Sequence, residues 1–198
     1  MRLQHTYTLI APFYDTAIDH ATRAARQRSL AALPDIPARV LLTGIGTGLD
    51  LPHLPPQHQY TGLDLNPAML RRAIARAGHL DFVPLIGDAQ QMPLADASFD
   101  AAVLHLILAV VPDPPACLRE IARLLKPGGK VLVFDKFLRP GQSAPVRRLL
   151  NPLMRRLATR LDVVFEETLR AAPDLSLVAD QPAIAGGWFR LIQLRRDD

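Results

Sequence analysis

The sequence predicts an α/β fold whose central sheet is mostly parallel and covered by helices on both faces. Short apolar runs recur along the chain, and stretches with helical patterns separate them. Strands that alternate with helices in this way pair in parallel and form a doubly wound sheet. The chain has 198 residues, of which 49% are hydrophobic, so it suits one sizeable α/β core and is too short for two full domains.

The first apolar run ends in three glycines at alternate positions, Gly44, Gly46 and Gly48. Such glycines let the backbone leave a buried strand at positive φ and bring its N–H groups close to a ligand. The dinucleotide fingerprint G-x-G-x-x-G is one residue longer, and Leu49 stands where its third glycine would fall. The spacing therefore favours S-adenosylmethionine over a nicotinamide dinucleotide. Thr43 and the three glycines are its predicted cofactor-binding residues.

The next two predicted strands each end in a carboxylate that suits the nucleoside half of such a cofactor. Asp64 follows the second apolar run, and a carboxylate there can accept hydrogen bonds from both ribose hydroxyls, with Leu65 beside it in the site. Asp88 and Ala89 follow the third run, where a carboxylate and a backbone N–H can bind the adenine edge. The alternative for Asp64 is a capping role before the helix that Pro67 begins.

The other segments continue the alternation of strands and helices. The helix after the glycine turn is expected to be short, because prolines interrupt it at once. The helix that starts at Asn66-Pro67 carries Arg71, Arg72 and Arg76 on a predicted solvated face. The remaining predicted elements are a strand at 98–105, a helix at 116–125, a strand after Gly129, a helix at 165–171 and strands at 175–178 and 187–194.

Over roughly residues 38–136, this ordered set resembles the class I S-adenosylmethionine-dependent methyltransferases. The resemblance lies in the glycine turn and in residues 62–70 (GLDLNPAML), 87–94 (GDAQQMPL) and 125–129 (LKPGG). Within that family the spacing looks like that of the ubiquinone/menaquinone-biosynthesis C-methyltransferases and the bacterial phosphatidylethanolamine N-methyltransferases. The resemblance implies a Rossmann-like, seven-stranded sheet with an antiparallel last strand. It also implies a donor that leaves as S-adenosylhomocysteine.

Thr43 is the one departure from that pattern within the glycine turn. The family usually carries an acidic residue directly before the first glycine, where it is expected to orient the loop or the methionine amino group. Its replacement by Thr43 predicts either weaker cofactor binding or substitution of the missing carboxylate by Asp50 or by a water molecule.

We expect one methyltransferase domain over residues 1–198, with four parts. These are a helical cap (1–37), a cofactor-binding core (38–136), a basic lid segment (137–161) and a segment that completes the sheet (162–198).

Two tyrosines in the predicted cap are candidate acceptor contacts. Tyr7 and Tyr14 belong to an apolar pattern with helical spacing. The family resemblance implies that a Tyr-Asp pair, here Tyr14-Asp15, lies over the cofactor and the acceptor. Tyr14 is therefore a predicted catalytic and substrate-binding residue, and Tyr7 a predicted substrate-binding one. The alternative is that these aromatic rings pack a helix onto the sheet.

His105 ends the fourth predicted strand at the cofactor edge, in an otherwise apolar run. Displacement at a sulfonium methyl needs no dedicated acid, and it needs a base only when the acceptor arrives protonated. His105 is the predicted base and a predicted neighbour of the cofactor. The alternative is a structural histidine held by hydrogen bonds.

The positive charge of the chain is concentrated in one segment. Its net charge is +4, yet residues 136–160 hold seven basic residues and no acid, and arginines there alternate with apolar residues. Such a pattern predicts a lid over the acceptor with Arg148 as a substrate contact, peripheral contact with an anionic membrane, or a solvated helix. Nucleic-acid binding is disfavoured, because no aromatic residues are interleaved with the arginines.

The expected function is methyl transfer to a small-molecule or lipid-like acceptor in the cytoplasm. No signal-peptide pattern begins the chain, and the longest apolar stretch, residues 101–111, is too short to span a membrane. Cys117 is interpreted as a small core residue, and we predict no metal site. Two alternatives remain at this point: a nicotinamide-dependent oxidoreductase, and a non-catalytic protein that binds S-adenosylmethionine.

Overall fold

The computed structural model describes residues 19–139, 141 and 162–198. A helix, α1, covers residues 19–30 of this part. The elements that follow are β1 (Arg39–Thr43), β2 (Gln59–Asp64), α2 (Pro67–Arg76), β3 (Asp81–Ile86), β4 (Phe99–His105), α3 (Pro114–Leu124), β5 (Leu125–Lys136), α4 (Phe165–Arg170), β6 (Leu175–Ile184) and β7 (Phe189–Arg196). A three-residue 3-10 helix, Leu51–His53, is the short helix expected after the glycine turn.

The seven strands form one sheet in the order β3-β2-β1-β4-β5-β7-β6. The first five strands pair in parallel, whereas β7 runs antiparallel to both β5 and β6. The predicted doubly wound, Rossmann-like sheet with an antiparallel last strand is therefore confirmed. The strand order changes direction between β1 and β4, so the crevice in which such sheets bind ligands lies at the carboxyl end of β1.

Alternate residues of the central strands contribute to two separate cores, one on each face of the sheet. Val40 belongs to a buried cluster with Leu30 of α1 and Leu70 of α2. Leu41, the next residue of β1, belongs to another cluster with Leu118 of α3. Helices α1 and α2 therefore cover one face, and α3 covers the other.

Helices α2 and α3 begin in the same way. Asn66 Oδ1 accepts the N–H of Ala68 at 2.9 Å, and Asp113 Oδ1 accepts the N–H of Ala116 at 3.0 Å. A proline occupies the first turn of each helix, where a missing N–H costs nothing. These caps place both helix starts at the carboxyl edge of the sheet.

Several boundaries differ from the predicted ones. Helix α3 begins at Pro114 instead of residue 116, and β7 spans Phe189–Arg196 instead of 187–194. Helix α3 ends at Leu124, and β5 begins at Leu125, which pairs with Phe99 before the register shifts. Strand β6 runs on to Ile184 instead of ending at residue 178, through Pro182. Strand β6 lies at the edge of the sheet. An edge strand tolerates a proline, and its sequence lacks the apolar alternation of a half-buried strand.

The chain leaves β5 and returns before α4 at two adjacent points. The N–H of Leu138 donates to Val163 O at 2.8 Å. The rings of Phe137 and Phe165 lie 5.1 Å apart, and the buried Arg190 guanidinium lies 5.9 and 5.6 Å from them. Both ends of residues 139–162 are thus attached to the same corner of the sheet.

Candidate active site

The glycine turn after β1 has the backbone conformation that its sequence predicts. Gly44, Gly46 and Gly48 have φ angles of 64°, 59° and 81°. These angles lie in the left-handed region, which residues with a Cβ rarely adopt. The N–H of Gly48 donates to Ile45 O at 3.0 Å, and the N–H of Ile45 donates to Leu63 O at 3.0 Å, which joins the turn to β2.

The three glycines meet different surroundings. A Cβ at Gly44 would lie 2.4 Å from Ile107 Cδ1, and one at Gly48 would lie 2.9 Å from the Cα of Ala73. Around a Cβ at Gly46, no atom of the described residues lies within 4 Å. A side chain at Gly48 would therefore meet backbone and one at Gly44 would displace Ile107, whereas the middle position borders open space where a ligand can approach the backbone.

Asp64 borders that open space at the end of β2. Its Oδ2 accepts the N–H of Gly46 at 2.7 Å, and its Oδ1 accepts the N–H of Asn66 at 2.8 Å. Burial raises the pKa of Asp64, against the opposing effect of the two N–H donors. Each oxygen keeps a second lone pair, so the carboxylate can still accept hydrogen bonds from a ligand. Leu65 beside it is 60% exposed.

The third predicted contact region lies at the same edge of the sheet. The N–H of Gly87 donates to Asp64 O at 3.2 Å, which brings the end of β3 against the end of β2. Asp88 Oδ1 accepts the backbone N–H and the side-chain Nε2 of Gln90, both at 2.9 Å. Ala89 is buried. The structure therefore places the ends of β1, β2 and β3 together, in the order that the sequence predicts.

His105 lies inside the protein, and both of its ring nitrogens are engaged. Nδ1 lies 2.8 Å from Asp50 Oδ1, and Nε2 lies 2.9 Å from Ser29 Oγ on α1. The Phe134 ring contacts the imidazole edge-on, with centroids 5.8 Å apart. This geometry supports the structural alternative for His105. Its action as a base stays a prediction.

Asp50 belongs to the same buried hydrogen-bonded group as His105 and Ser29. Its Oδ1 also accepts from Arg26 Nη1 at 2.8 Å. Burial acts to raise the pKa of Asp50, but the charges and hydrogen bonds of His105 and Arg26 outweigh it and hold that pKa well below its usual value. Thr43 Oγ1 is buried and has no hydrogen-bond partner among the described residues. Asp50 is held by Arg26 and His105, and its expected substitution for the acid missing at Thr43 stays a prediction.

Arg76 is a contact of the glycine turn that the sequence analysis missed. It is exposed, as predicted, but its Nη1 donates to the backbone O and the Oγ1 of Thr47, at 2.6 and 2.9 Å. Arg76 follows Ala73 by three residues, and Ala73 is the buried α2 residue that Gly48 approaches. That helical spacing was the signal that could have assigned Arg76 to the turn.

Several predicted residues cannot be placed. Tyr7, Tyr14 and Arg148 lie outside the described residues, as does nearly all of the basic segment after Arg139. Within the described ranges, no group of three or more His, Cys, Asp or Glu side chains is arranged to hold a metal ion. Cys117 is buried in the core, and burial raises its pKa to about 12.

The chain matches known methyltransferases along most of its length. Residues 41–133 match the Methyltransferase domain family. The chain is 30% identical over 188 residues to a phosphatidylethanolamine N-methyltransferase from Cereibacter sphaeroides, with 92% of each chain covered. It is 32% identical over 193 residues to a demethylmenaquinone methyltransferase from Renibacterium salmoninarum, which covers 89% of this chain and 80% of that one.

Solved structures share the fold at lower identity. A putative methyltransferase from Haloferax volcanii, solved with the Trm112 methyltransferase activator, superposes with a TM-score of 0.79 at 21% identity and 98% coverage of both chains. A geranyl diphosphate C-methyltransferase from Streptomyces coelicolor, solved with S-adenosyl-L-homocysteine, gives a TM-score of 0.71 at 16% identity, covering 87% of this chain and 76% of that one.

The sequence relatives decide between the functions that the glycine turn left open. Both named relatives are methyltransferases, so the nicotinamide oxidoreductase and the non-catalytic alternatives gain no support. The predicted methyltransferase function is confirmed. Together with the strand order and the glycine turn, these matches show that the chain belongs to the family of S-adenosylmethionine-dependent methyltransferases.

Proposed function

We propose that S-adenosylmethionine binds across the carboxyl ends of β1, β2 and β3. One observation carries the assignment: the open space at Gly46 lies next to the Asp64 carboxylate, whose Oδ2 is 2.7 Å from Gly46 N. The remaining contacts belong to the same edge of the sheet. They are assigned to Thr43, Gly44, Gly48, Leu65, Asp88 and Ala89.

The described residues can hold the donor without a catalytic acid. The bound donor supplies a sulfonium methyl group, whose leaving group is already good. Asp64 accepts from the ribose hydroxyls with the lone pairs left by Gly46 and Asn66, and the exposed Leu65 side chain offers apolar surface to the adenine. The protein then has to align the acceptor and exclude water, an effect worth up to about 7–11 kcal/mol.

A lipid-like or quinone-like acceptor is the substrate class that we assign to this site. Two observations support it. The named relatives are a phosphatidylethanolamine N-methyltransferase and a demethylmenaquinone methyltransferase. In addition, the sequence after β5 alternates arginines with apolar residues, which suits a segment that contacts an amphiphilic acceptor. Tyr7, Tyr14 and Arg148 are the proposed acceptor contacts.

The acceptor class is tested by methyl transfer from labelled S-adenosylmethionine to matched panels of compounds. The panels are aminophospholipids, quinone precursors and small thiols. We expect transfer to a member of one of the first two panels and none to soluble thiols. Transfer confined to thiols would overturn the lipid-like assignment while leaving the methyltransferase assignment intact.

We also propose that the basic segment gives the enzyme weak affinity for anionic membranes. Among the described residues, no helix is long and apolar enough to cross a bilayer. Each arginine near an anionic surface contributes about 1 kcal/mol, screened by salt. Changing Arg148, Arg155 and Arg156 to Gln should therefore abolish sedimentation with phosphatidylserine vesicles at low salt.

The matched control removes the same charge from three exposed arginines elsewhere: Arg28, Arg71 and Arg119. This variant should still sediment with the vesicles. Wild-type protein that ignores the vesicles at low salt would refute the membrane contact.

A further inference from the structure

Five buried polar side chains form one hydrogen-bonded chain that starts and ends on α1. Arg26 Nε donates to Thr22 Oγ1 at 3.0 Å, and Arg26 Nη1 donates to Asp50 at 2.8 Å. His105 continues the chain from Asp50 to Ser29, with distances of 2.8 and 2.9 Å. The chain therefore joins α1, the exit of the glycine turn and the end of β4.

Asp50 stands at a helix N-cap, but its side chain does not cap the helix. It is the N-cap residue of the 3-10 helix Leu51–His53, yet its carboxylate makes no capping hydrogen bond. Aspartate at such a position ordinarily accepts an N–H of the first turn. Here the carboxylate is directed across to α1 and β4.

The energetic cost of this arrangement argues against a purely stabilising role. Taking two charges out of water costs several kcal/mol per ion, and apolar residues of similar volume often serve stability as well as a buried ion pair does. Arg26 and Asp50 are both buried, with side-chain exposures of 6% and 8%. The need to hold Asp50 in a fixed position therefore accounts for this buried ion pair better than a gain in stability does.

The backbone connects Asp50 directly to the turn that borders the open space. Asp50 lies two residues after Gly48, and the N–H of Leu51 donates to Gly48 O at 3.1 Å. The N–H of Gly48 in turn donates to Ile45 O, so the peptide groups on either side of Gly46 belong to one bonded unit. These backbone hydrogen bonds connect the position of Asp50 to the glycine turn.

We propose that Asp50, held by Arg26 and His105, is a positioning residue of the cofactor turn, so that donor binding and the packing of α1 are thermodynamically coupled. The inference rests on the proposed binding of S-adenosylmethionine at this turn. Because coupling between two sites is reciprocal, a ligand that stabilises the turn must also stabilise α1.

The test combines calorimetric titration with S-adenosylhomocysteine and hydrogen exchange of the α1 amides, residues 19–30. In wild-type protein the ligand should slow exchange in α1 at least threefold. Asp50→Asn should bind the ligand about tenfold more weakly, a change of about 1.4 kcal/mol, and should lose the response of α1. Arg26→Lys keeps the charge but not the two-point hydrogen bonding of the guanidinium, so it should lose part of the ligand affinity and part of the α1 response, less than Asp50→Asn does.

Arg23→Gln is the matched control, because it breaks an ion pair with Asp19 on the same helix where the arginine is exposed. It should keep wild-type affinity and the wild-type response of α1. A fall in the apo melting temperature of Asp50→Asn and Arg26→Lys, with ligand affinity and the α1 response preserved, would mean a merely structural role and would overturn the inference.

The remaining outcomes separate this inference from the proposed function. If the wild-type protein binds S-adenosylhomocysteine and α1 exchange does not change, the coupling is wrong and the proposed function stands. If the wild-type protein does not bind the ligand, the proposed site is wrong and the coupling is overturned with it. If Asp50→Asn does not fold, Arg26→Lys compared with Arg23→Gln decides the same question.

Discussion

Asp50 and Asp64 lie on either side of the glycine turn and have opposite electrostatic surroundings. Asp64 is half-buried, accepts two backbone N–H groups and has a raised pKa. Asp50 is buried, pairs with Arg26 and His105 and has a lowered pKa. One carboxylate retains lone pairs beside open space, whereas the other is held by protein groups. The difference teaches that two aspartates next to the same turn can have different capacities: Asp64 can accept further hydrogen bonds beside open space, whereas Asp50 is already paired with a buried guanidinium.

The largest expected effect comes from removing the buried carboxylate. Asp50→Ala leaves the Arg26 charge buried without its partner, which should lower the free energy of unfolding by about 3–5 kcal/mol. Urea denaturation measures the change. Asp19→Ala, which breaks the ion pair with the exposed Arg23, should cost at most about 1 kcal/mol. Similar losses in the two variants would mean that the buried Arg26 charge does not depend on Asp50 for its stabilisation.

Asp64→Ala should chiefly reduce ligand affinity. It removes the carboxylate that the ribose hydroxyls need, and hydrogen bonds to a charged group contribute about 1.5–3 kcal/mol, which predicts a ten- to hundredfold weaker affinity. It also leaves the N–H groups of Gly46 and Asn66 without their acceptor, so it should cost some stability as well. Titration with S-adenosylhomocysteine checks this result. An unchanged dissociation constant would remove Asp64 from the site.

Filling the open space at Gly46 with a methyl group should have a smaller effect, and the chain offers a closely matched control variant. Gly46→Ala should cost about 1–2 kcal/mol of stability, because φ is 59° there, and should also weaken ligand binding, because the methyl group enters the space. Gly78→Ala is the control, since its Cβ would likewise meet no atom of the described residues within 4 Å and its φ is not positive. That variant should leave affinity unchanged. Equal affinities for the two variants would exclude the space at Gly46 as a ligand site.

The smallest expected effect on ligand affinity is its dependence on pH. Because the pKa of Asp64 is raised, its carboxylate becomes protonated at a pH above the ordinary value of 3.8. The protonated carboxyl group has less capacity to accept hydrogen bonds from the ribose hydroxyls. Affinity should therefore fall as the pH is lowered towards that value, and Asp64→Asn should lose the dependence.

Unfolding has a separate pH dependence from Asp50. Its folded-state pKa is depressed, so its contribution to stability is present above pH 3.8 and is lost as the pH falls further. Urea denaturation as a function of pH measures this loss. A loss of stability that is already complete at pH 5 would contradict the assignment to Asp50.

The sequence predicted the fold and the conformation of the glycine turn because both depend on local patterns. Buried parallel strands are near-continuous apolar runs, and a turn with three positive φ angles requires glycines such as Gly44 and Gly46. Asp64 could be assigned because it ends a strand next to that turn. Strand β6 was predicted too short, because its exposed edge gives little apolar periodicity.

The buried network could not be predicted, because its members lie far apart in the sequence. Ser29 and His105 are separated by 76 residues, and nothing in the neighbourhood of Arg26 distinguishes it from the exposed arginines of the same helix. The sequence therefore left two interpretations of His105 and offered Asp50 as a substitute for the acid missing at Thr43. Only the packing of α1 on the sheet shows where these side chains are held.

The hydrogen bond between Leu138 and Val163 has a consequence for how this enzyme can diversify. It brings the two ends of residues 139–162 together at one corner of the sheet, so a different segment can be exchanged between them without moving a strand. The entropy cost of closing a connection rises by only about 0.6 kcal/mol for each doubling of its length. Evolution or engineering can therefore change the length and chemistry of this insert, while β5, α4 and the glycine turn stay as they are.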